Sequence, residues 1–177
     1  TQYYNEARSA KQYQKIYREL IDNNSYSYTQ NTQSRIGMVT PCLNMVDTID
    51  STIASVVNQK GDFSVRYHVQ DGGSTDGTLE KLKEWGQALL KRTPEDGPKI
   101  VFSWTSESDA GMYDAISLGF DRLNANQDDF IGWINADDLI LPGTFAKIAA
   151  IAQKNKEIEW IGSHTYNIKP GGELNCS

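Results

Sequence analysis

Short apolar segments alternate with segments of helical periodicity between residues 35 and 168, and this alternation limits the possible folds more than any other feature. In the helical segments, apolar residues recur every three or four positions, as on one face of an amphipathic helix. Strands that alternate with helices of about ten to fifteen residues form right-handed βαβ units around a mainly parallel sheet. We therefore predict an α/β domain with helices on both faces of its sheet. The predicted strands are residues 36–40, 65–69, 100–104, 130–134 and 160–168, and Pro41 is expected to end the first.

The composition fits one soluble globular domain, because 38% of the 177 residues are apolar and 23% are charged. A formal net charge of −6 argues against broad binding to nucleic acid or to an anionic membrane. No apolar run approaches transmembrane length, and no signal peptide is visible. Cys42 and Cys176 form neither a disulfide framework nor a metal-ligand pattern. We expect a protein of a reducing compartment with no nucleic-acid partner.

The N-terminal residues 1–34 differ from the rest in being rich in tyrosine, glutamine, asparagine and serine. Residues 7–21 have helical periodicity, and the polar stretch after them is typical of a linker. We predict an N-terminal helix that either packs on the domain or joins it to a neighbouring domain of a longer protein. The α/β domain itself is assigned to residues 35–177.

Polar segments follow the first four predicted strands, and several of their side chains are carboxylates. The carboxyl ends of parallel strands meet at one edge of a sheet, where open α/β sheets bind ligands. A site there would contain several carboxylates and no obvious histidine, which suits a metal ion with a phosphate ligand better than Ser-His-Asp chemistry. The segments are residues 41–44, 71–77, 106–109 and 137–138.

Asp137 and Asp138 follow closely on the apolar run at 130–134. Adjacent carboxylates repel each other, and each costs several kcal/mol when it is desolvated without a partner. A divalent cation would offset both costs, since hard cations prefer oxygen ligands. The alternative is that the two residues cap a helix, whose start is predicted by Leu-Pro-Gly at 141–143. These residues alone leave both interpretations open.

The segment 71–77 combines carboxylates, hydroxyls and glycines, and glycine allows a backbone to approach a ligand closely. We predict that Asp71 faces a ligand and that Asp76 caps the helix that follows. An EF-hand calcium loop does not fit, because its twelfth position would be Leu82 rather than a glutamate.

Three residues with potentially reactive side chains are expected to have structural roles. His68 and His164 each lie within a predicted strand, so we place them in the core or on the surface rather than in a catalytic site. Cys42 is expected to be a small buried residue rather than a nucleophile.

Four motifs in order resemble those of family 2 glycosyltransferases of the GT-A fold, and the resemblance covers residues 35–168. Any one motif is weak, whereas four in order at suitable spacing are specific. The resemblance is greatest to the branch that builds bacterial surface polysaccharides, including colanic-acid-type enzymes. The motifs are Thr-Pro-Cys-Leu-Asn at 40–44, Asp-Gly-Gly-Ser-Thr-Asp-Gly-Thr at 71–78, Ser-Glu-Ser-Asp-Ala-Gly-Met-Tyr-Asp-Ala at 106–115 and Asn-Ala-Asp-Asp at 135–138.

This resemblance implies a GT-A-like fold and a nucleotide-sugar donor, most often a UDP-sugar. Asp138 would bind Mg²⁺ or Mn²⁺, which neutralises the departing diphosphate, and Asp137 would contact the ribose or the metal's shell. A hydroxyl of a saccharide or lipid-linked acceptor would attack the anomeric carbon with inversion, assisted by a carboxylate base. Such enzymes build cell-surface polysaccharide, either in the cytoplasm or peripherally at the inner face of the membrane. The residues implied in donor nucleotide binding are Thr40, Pro41, Leu43, Asn44, Asp71 and Asp137.

The chain departs from the family pattern at four positions. Gly72 stands where many members have a second aspartate, and Leu43 stands where many have an aromatic residue that stacks on the base. Ser117 replaces a common asparagine, and Ala136 occupies the first position of the DxD-type motif. These departures bear on which nucleotide base the chain accepts.

The general base and the acceptor-binding elements of the family normally follow the fifth strand. Glu173 is the only acid beyond Glu159, and it lies in a Pro-Gly-Gly segment that makes it a weak candidate for the base. We therefore expect the donor half of a longer enzyme, which binds a nucleotide sugar but transfers it slowly or not at all. The alternatives are a non-catalytic nucleotide-sugar-binding domain and a calcium-stabilised module without a nucleotide role.

Overall fold

The computed structural model describes residues 34–127, 129–155, 157–162, 165–168 and 174–176. The predicted N-terminal helix and linker lie outside the described residues, as do His164 and Glu173. The elements in chain order are β1 (Ser34–Cys42), α1 (Ile49–Val57), β2 (Phe63–Asp71), α2 (Thr78–Leu90), a short 3₁₀ turn (Pro94–Asp96), β3 (Lys99–Ser106), α3 (Met112–Leu123), β4 (Phe130–Trp133), α4 (Thr144–Lys154), β5 (Tyr166–Ile168) and β6 (Leu174–Cys176).

Four strands form one sheet in the order β3-β2-β1-β4. The strand β1 lies inside this sheet, paired along its whole length with β2 and over residues 36–39 with β4. Every pairing in the sheet is parallel, which confirms the predicted mainly parallel α/β architecture. The carboxyl ends of all four strands therefore lie at one edge.

Helices cover both faces of this sheet, as predicted. Side chains of a strand alternate between its faces, and Ile36 and Met38 pack in a core cluster with buried residues of α1, α2 and α4. On the opposite face, Val39 lies so close to α3 that a Cβ at Gly119 would overlap it. A glycine at this position lets helix and strand approach closely, which fixes α3 against the centre of the sheet.

Pro41 does not end β1, contrary to the sequence-based expectation. The strand continues to Cys42, with Pro41 opposite Gln70 of β2. The carbonyl of Val39 accepts a hydrogen bond from the N–H of Ile134 (2.9 Å), so Val39 directs its backbone polar groups toward β4. The backbone of Pro41 also faces the β4 side. However, β4 ends at Trp133, which lies opposite Val39 and therefore does not reach Pro41. Because no partner strand is present at that point among the described residues, the missing N–H of proline costs no hydrogen bond.

The predicted fifth strand is mostly wrong in extent and in pairing. Only Tyr166–Ile168 is described as a strand there, and it pairs antiparallel with Leu174–Cys176 in a separate two-stranded sheet. Only five residues separate the two strands, which is enough for an antiparallel pair but too few for the crossover that a parallel pair needs. Among the helices that the structure describes, none has the length and apolar character needed to span a bilayer.

Candidate functional site

The loops after β1, β2 and β3 begin side by side at the carboxyl edge of the sheet. The N–H of Gly72 donates to the carbonyl of Cys42 (2.8 Å), and the N–H of Glu107 donates to the carbonyl of Asp71 (3.0 Å). These two bonds continue the parallel ladders past the last paired residues. They therefore hold the three predicted polar segments next to one another.

Asp71, which the sequence analysis predicts to face a ligand, is fully buried. One carboxylate oxygen accepts from the hydroxyl of Ser74. The other accepts from the N–H groups of Gly73 (3.0 Å) and Ser74 (2.9 Å) and from the hydroxyl of Ser106 (2.7 Å). Both oxygens are thus occupied within the chain, so Asp71 folds the glycine-rich loop onto the end of β3.

Asn44 joins the first loop to the glycine-rich loop. Its N–H donates to the hydroxyl of Ser74 (2.7 Å), and its side-chain oxygen accepts from the N–H of Thr75 (2.9 Å). Its φ of +54° is a left-handed conformation that asparagine tolerates better than most residues. The side chain of the neighbouring Leu43 is 52% exposed, so an apolar surface is available beside this junction.

Thr40 and Pro41, both predicted to contact the nucleotide, lie beneath the loops. Thr40 is fully buried, and its hydroxyl shares a hydrogen bond of 2.9 Å with the hydroxyl of Tyr67. Pro41 is also buried. The extension of β1 through Pro41 explains both positions, because it moves the start of the exposed loop to Leu43.

Asp76 organises the start of α2, much as predicted for a cap. The N-cap residue itself is Gly77, but the Asp76 carboxylate accepts from the N–H (3.0 Å) and the hydroxyl (2.6 Å) of Thr78. It also accepts from the N–H of Val46 (3.0 Å) in the first loop. Burial raises the pKa of Asp76, but these hydrogen bonds outweigh it and leave the pKa below its ordinary value.

Asp109, from the loop after β3, occupies the space that a side chain at position 72 would need. A Cβ added to Gly72 would lie 2.8 Å from one carboxylate oxygen of Asp109. The other oxygen accepts from the N–H of Gly111 (2.9 Å), just before α3. The glycine that departs from the family pattern therefore allows a different carboxylate to approach the glycine-rich loop.

Asp137 and Asp138 lie in a tight turn immediately after β4. The N–H of Asp138 donates to the carbonyl of Asn135 (3.1 Å), and the side-chain amide of Asn135 donates to the Asp138 carboxylate (3.1 Å). Helix α4 begins only at Thr144, with Gly143 at its N-cap. The two carboxylates are too early in the chain to cap this helix, so the capping interpretation is wrong.

The turn is held from below by Thr52 of α1, a residue that the sequence analysis missed. Thr52 is fully buried, and its hydroxyl lies 2.8 Å from the carbonyl of Ala136 and 2.9 Å from the carbonyl of Asp138. A polar residue on the apolar face of an amphipathic helix is the signal that could have identified it.

The electrostatics of this turn favour a cation. Burial raises the pKa of the Asp138 carboxyl, the adjacent Asp137 raises it further, and the hydrogen bond from Asn135 offsets only part of the effect. The side-chain oxygen of Asn135 is buried without a hydrogen-bond partner among the described residues. Oxygen ligands of this kind fit a hard divalent cation.

The protein would supply only part of such a coordination shell. Within the described ranges, no cluster of three or more His, Cys, Asp or Glu side chains is arranged to hold a metal ion. Mg²⁺ is commonly held by one or two carboxylates together with the phosphates of a substrate. Asp137 and Asp138 fit that arrangement, in which the ligand brings the remaining oxygens.

His68 and Glu107 belong to a polar network between the sheet and α3. His68 is buried, and its ring nitrogens bond to hydroxyls of β3 and to the side chain of Gln70, which confirms its structural role. Burial lowers the pKa of His68, Gln70 opposes this, and the charge of Arg122 lowers it further. Arg122 also bonds Gln70 (2.9 Å) and Glu107 (2.6 Å), so Glu107 is directed toward α3 rather than into the predicted acidic site.

Cys42 should resist alkylation in the folded protein. Burial, with smaller contributions from the charges of Asp71 and Asp76, raises its pKa to about 12. At pH 8 only roughly one thiol in ten thousand would be ionised. Peptide mass spectrometry after iodoacetamide treatment should show an unmodified Cys42 in buffer and a modified one in urea. Rapid labelling of the folded chain would contradict the buried, structural role.

Taken together, the parallel sheet, the glycine-rich loop and the acidic turn define an α/β domain whose candidate site lies at the carboxyl edge of the sheet, where open α/β sheets bind ligands. The family model described as "Glycosyl transferase family 2" matches residues 38–173, and the chain belongs to this family. A Haemophilus influenzae protein described as an uncharacterized glycosyltransferase is 27% identical over 129 residues, or 73% of this chain.

Solved structures of proteins in complex with nucleotide sugars have the same fold. S. aureus TarS in complex with UDP-GlcNAc gives a TM-score of 0.53 at 19% identity, over 69% of this chain. The mannosyltransferase PcManGT from Pyrobaculum calidifontis, in complex with GDP-Man and Mn²⁺, gives 0.53 at 18% identity, over 82% of this chain. The expected GT-A-like α/β fold is therefore confirmed.

The chain spans about a third of the length of the proteins that it matches. It covers 36% of the Haemophilus influenzae protein, 32% of the TarS chain and 40% of the PcManGT chain. The activity, substrates and partners of the whole protein are consequently matters for proposal.

Proposed function

We propose that this chain binds the nucleotide-sugar donor of a glycosyltransferase at the carboxyl edge of its sheet. The observation that carries the proposal is the acidic turn at 135–138, which follows β4 at the same edge of the sheet as the loops after β1 and β2. The solved structures of TarS with UDP-GlcNAc and of PcManGT with GDP-Man support a nucleotide sugar as the ligand class.

The nucleoside would lie across the junction of the first loop and the glycine-rich loop. Leu43 offers an exposed apolar side chain there, and Asn44 is exposed while its backbone and amide fix the junction. Thr40, Pro41 and Asp71 would shape this surface from beneath rather than contact the ligand first. No described residue other than its chain neighbours lies within 4 Å of the place where a side chain at Gly73 would begin, so there is room for a ligand to approach the backbone at that position.

The diphosphate would lie at the acidic turn. Asp138 would hold Mg²⁺ or Mn²⁺, and Asp137 would contact the ribose or the metal's shell. A divalent cation bound here supplies neutralisation of the charge that develops on the leaving diphosphate. The residues of the chain would orient the donor, with Asn135 and Thr52 fixing the acidic turn relative to α1.

The finer assignment rests on the sequence resemblance. It comprises inverting transfer from a UDP-sugar to a saccharide or lipid-linked acceptor, assisted by a carboxylate base. It places the reaction in bacterial surface-polysaccharide synthesis of the colanic-acid type, in the cytoplasm or at the inner face of the membrane. Residues 1–34 would form a helix and linker, and residues 35–177 the donor-binding domain.

Isothermal titration calorimetry with UDP and GDP, each with Mn²⁺ and with EDTA, tests the proposal directly. We expect UDP to bind about ten-fold more tightly with Mn²⁺ than with EDTA, which corresponds to about 1.4 kcal/mol, and GDP to bind more weakly than UDP. Binding of neither nucleotide under any condition would contradict the proposal. Preference for GDP would preserve the donor site but overturn the choice of base.

Turnover separates an enzyme from a non-catalytic donor-binding domain. The assay is release of UDP from UDP-sugars with a panel of saccharide and lipid-linked acceptors. General base assistance is worth about 10²–10⁴-fold, so an enzyme should release UDP well above the rate without protein, whereas a donor-binding domain should not. Rapid release that Glu173→Gln abolishes would make Glu173 the base.

A further inference from the structure

We infer that Thr52 is a positioning residue for the acidic turn, and that it controls the metal dependence of donor binding through the backbone of that turn. The inference rests on the proposed function and extends it to a residue in α1, far from the acidic motif in sequence. Thr52 does not reach the ligand surface, because it is fully buried.

The contacts of Thr52 straddle Asp137. Its hydroxyl lies within hydrogen-bond distance of the carbonyls of Ala136 (2.8 Å) and Asp138 (2.9 Å), one on each side of that residue. A hydroxyl has one hydrogen, so the two carbonyls share a three-centre bond. Thr52 therefore holds the backbone on both sides of Asp137 against α1.

Two further anchors hold the other sides of the turn. The N–H of Ile134 donates to the carbonyl of Val39 in the sheet (2.9 Å), and the side chain of Ala136 is buried in the core cluster. Among the described residues, the other hydrogen bonds of residues 136–138 are the two between Asp138 and Asn135, and both lie inside the turn. Thr52 is thus the hydrogen-bonding residue that ties this stretch to α1.

The same face of α1 anchors the chain beyond the turn. Ser55 accepts from the N–H of Ile140 (3.0 Å), and the amide of Gln59 donates to the carbonyl of Leu141 (3.0 Å). Residues three and seven positions after Thr52 lie on the same side of a helix. The helix and the residue just beyond it therefore provide a row of buried polar groups for the β4–α4 connection, and Thr52 is the member that contacts the acidic turn.

Such support matters because a pair of carboxylates binds a metal well only at a fixed separation. Partners in the outer shell of a metal site typically contribute about 10- to 100-fold in metal affinity. Thr52→Val has nearly the same shape as threonine but cannot donate to either carbonyl. Thr52→Ser retains the hydroxyl and should rescue the arrangement.

Hydrogen exchange of the metal-free protein provides a readout that is independent of any ligand. The Asp138 amide should exchange about ten-fold faster in Thr52→Val than in the wild type, since a hydrogen-bonded anchor is lost. Amides in α2 should be unchanged. Thr48→Val is the matched control: Thr48 is also buried, directly before α1, but its hydroxyl contacts the sulfur of Met45 (3.8 Å) rather than the turn. Unchanged protection of Asp138 in Thr52→Val would overturn the inference.

Calorimetry then tests the consequence for the donor. In Thr52→Val, the roughly ten-fold gain in UDP affinity that Mn²⁺ produces should be largely lost. Thr52→Ser and Thr48→Val should keep the gain. Loss of exchange protection with an intact Mn²⁺ gain would overturn the positioning role. If Mn²⁺ does not raise the UDP affinity of the wild type, the proposed metal site is wrong, and so is the predicted effect of Thr52 on metal dependence. The exchange data would still decide whether Thr52 holds the turn.

Discussion

Asp138→Asn should abolish the Mn²⁺-dependent gain in UDP affinity and leave the fold intact. The carboxylate lies in the turn after β4 and not in the core, so its loss removes a metal ligand rather than a packing contact. The asparagine oxygen can still accept the hydrogen bond from Asn135 that shapes the turn. Calorimetry with Mn²⁺ and with EDTA should therefore give equal UDP affinities for the variant, which means that the whole gain of about ten-fold is lost.

The same substitution should stabilise the metal-free protein at neutral pH. Burial, together with the charge of Asp137, raises the folded-state pKa of Asp138 above its unfolded value. The folded state then binds the proton more tightly, so the free energy of unfolding falls as the pH rises from the unfolded pKa through the folded one. The asparagine of the variant carries no such charge in either state. The Tm difference between variant and wild type should be smallest at acid pH, should grow across that window and should then stay constant.

Asp62→Asn is a suitable control, because it removes the same charge from an exposed residue just before β2, at the opposite edge of the sheet. It should leave the Mn²⁺ gain and the pH dependence of Tm the same as in the wild type. Equal Mn²⁺ dependence in Asp138→Asn and the wild type would remove Asp138 from the proposed metal site. Destabilisation of Asp138→Asn in EDTA would show that the carboxylate contributes to the fold instead.

Local patterns were sufficient to predict the sheet and its helices. Strands and helices differ in the period of their apolar residues, and each βαβ unit has one favoured handedness. Pro41 shows where a local rule fails: proline is excluded only from positions whose N–H faces a neighbouring strand, and that depends on where β4 ends. The pairing of Tyr166–Ile168 depended in the same way on which partner strand was available.

The roles of individual site residues depended on contacts between distant segments, which no local pattern contains. Asp71 and Asp138 are both strand-end aspartates, yet Asp71 is closed off by donors from its own loop and from Ser106. Thr52 reaches the acidic turn across more than eighty residues of sequence. Gly72 was recognised as a departure, but the approach of Asp109 that accompanies it follows only from the packing of two loops.

Asp71→Ala should destabilise the protein by about 3 kcal/mol, the largest stability effect that we expect from a single substitution at this edge. The carboxylate is fully buried and accepts from two N–H groups and two hydroxyls, which would lose their partner together. Urea denaturation should show the loss as a lower midpoint, with a fall in Tm of roughly 6–12 °C for a chain of this size. Asp76→Ala is the comparison, since its carboxylate is exposed and its loss should cost about 1 kcal/mol, like that of other helix caps.

Asp71→Asn distinguishes a loop-forming carboxylate from one that contacts the nucleoside. The amide oxygen can accept from Gly73, Ser74 and Ser106, and the amide nitrogen can donate to the Ser74 hydroxyl, which is free to rotate. The loop should therefore keep its shape at a cost of about 1 kcal/mol for the lost charge, and UDP affinity should stay within about three-fold of the wild type. A loss of ten-fold or more in a variant that remains stably folded would restore the direct contact that the sequence alone suggested. If Asp71→Asn keeps its UDP affinity while Asp71→Ala loses both affinity and stability, Asp71 acts by shaping the loop. Only the alanine substitution leaves the hydrogen-bond donors of the loop unpaired, so only it would alter the surface on which the nucleotide lies.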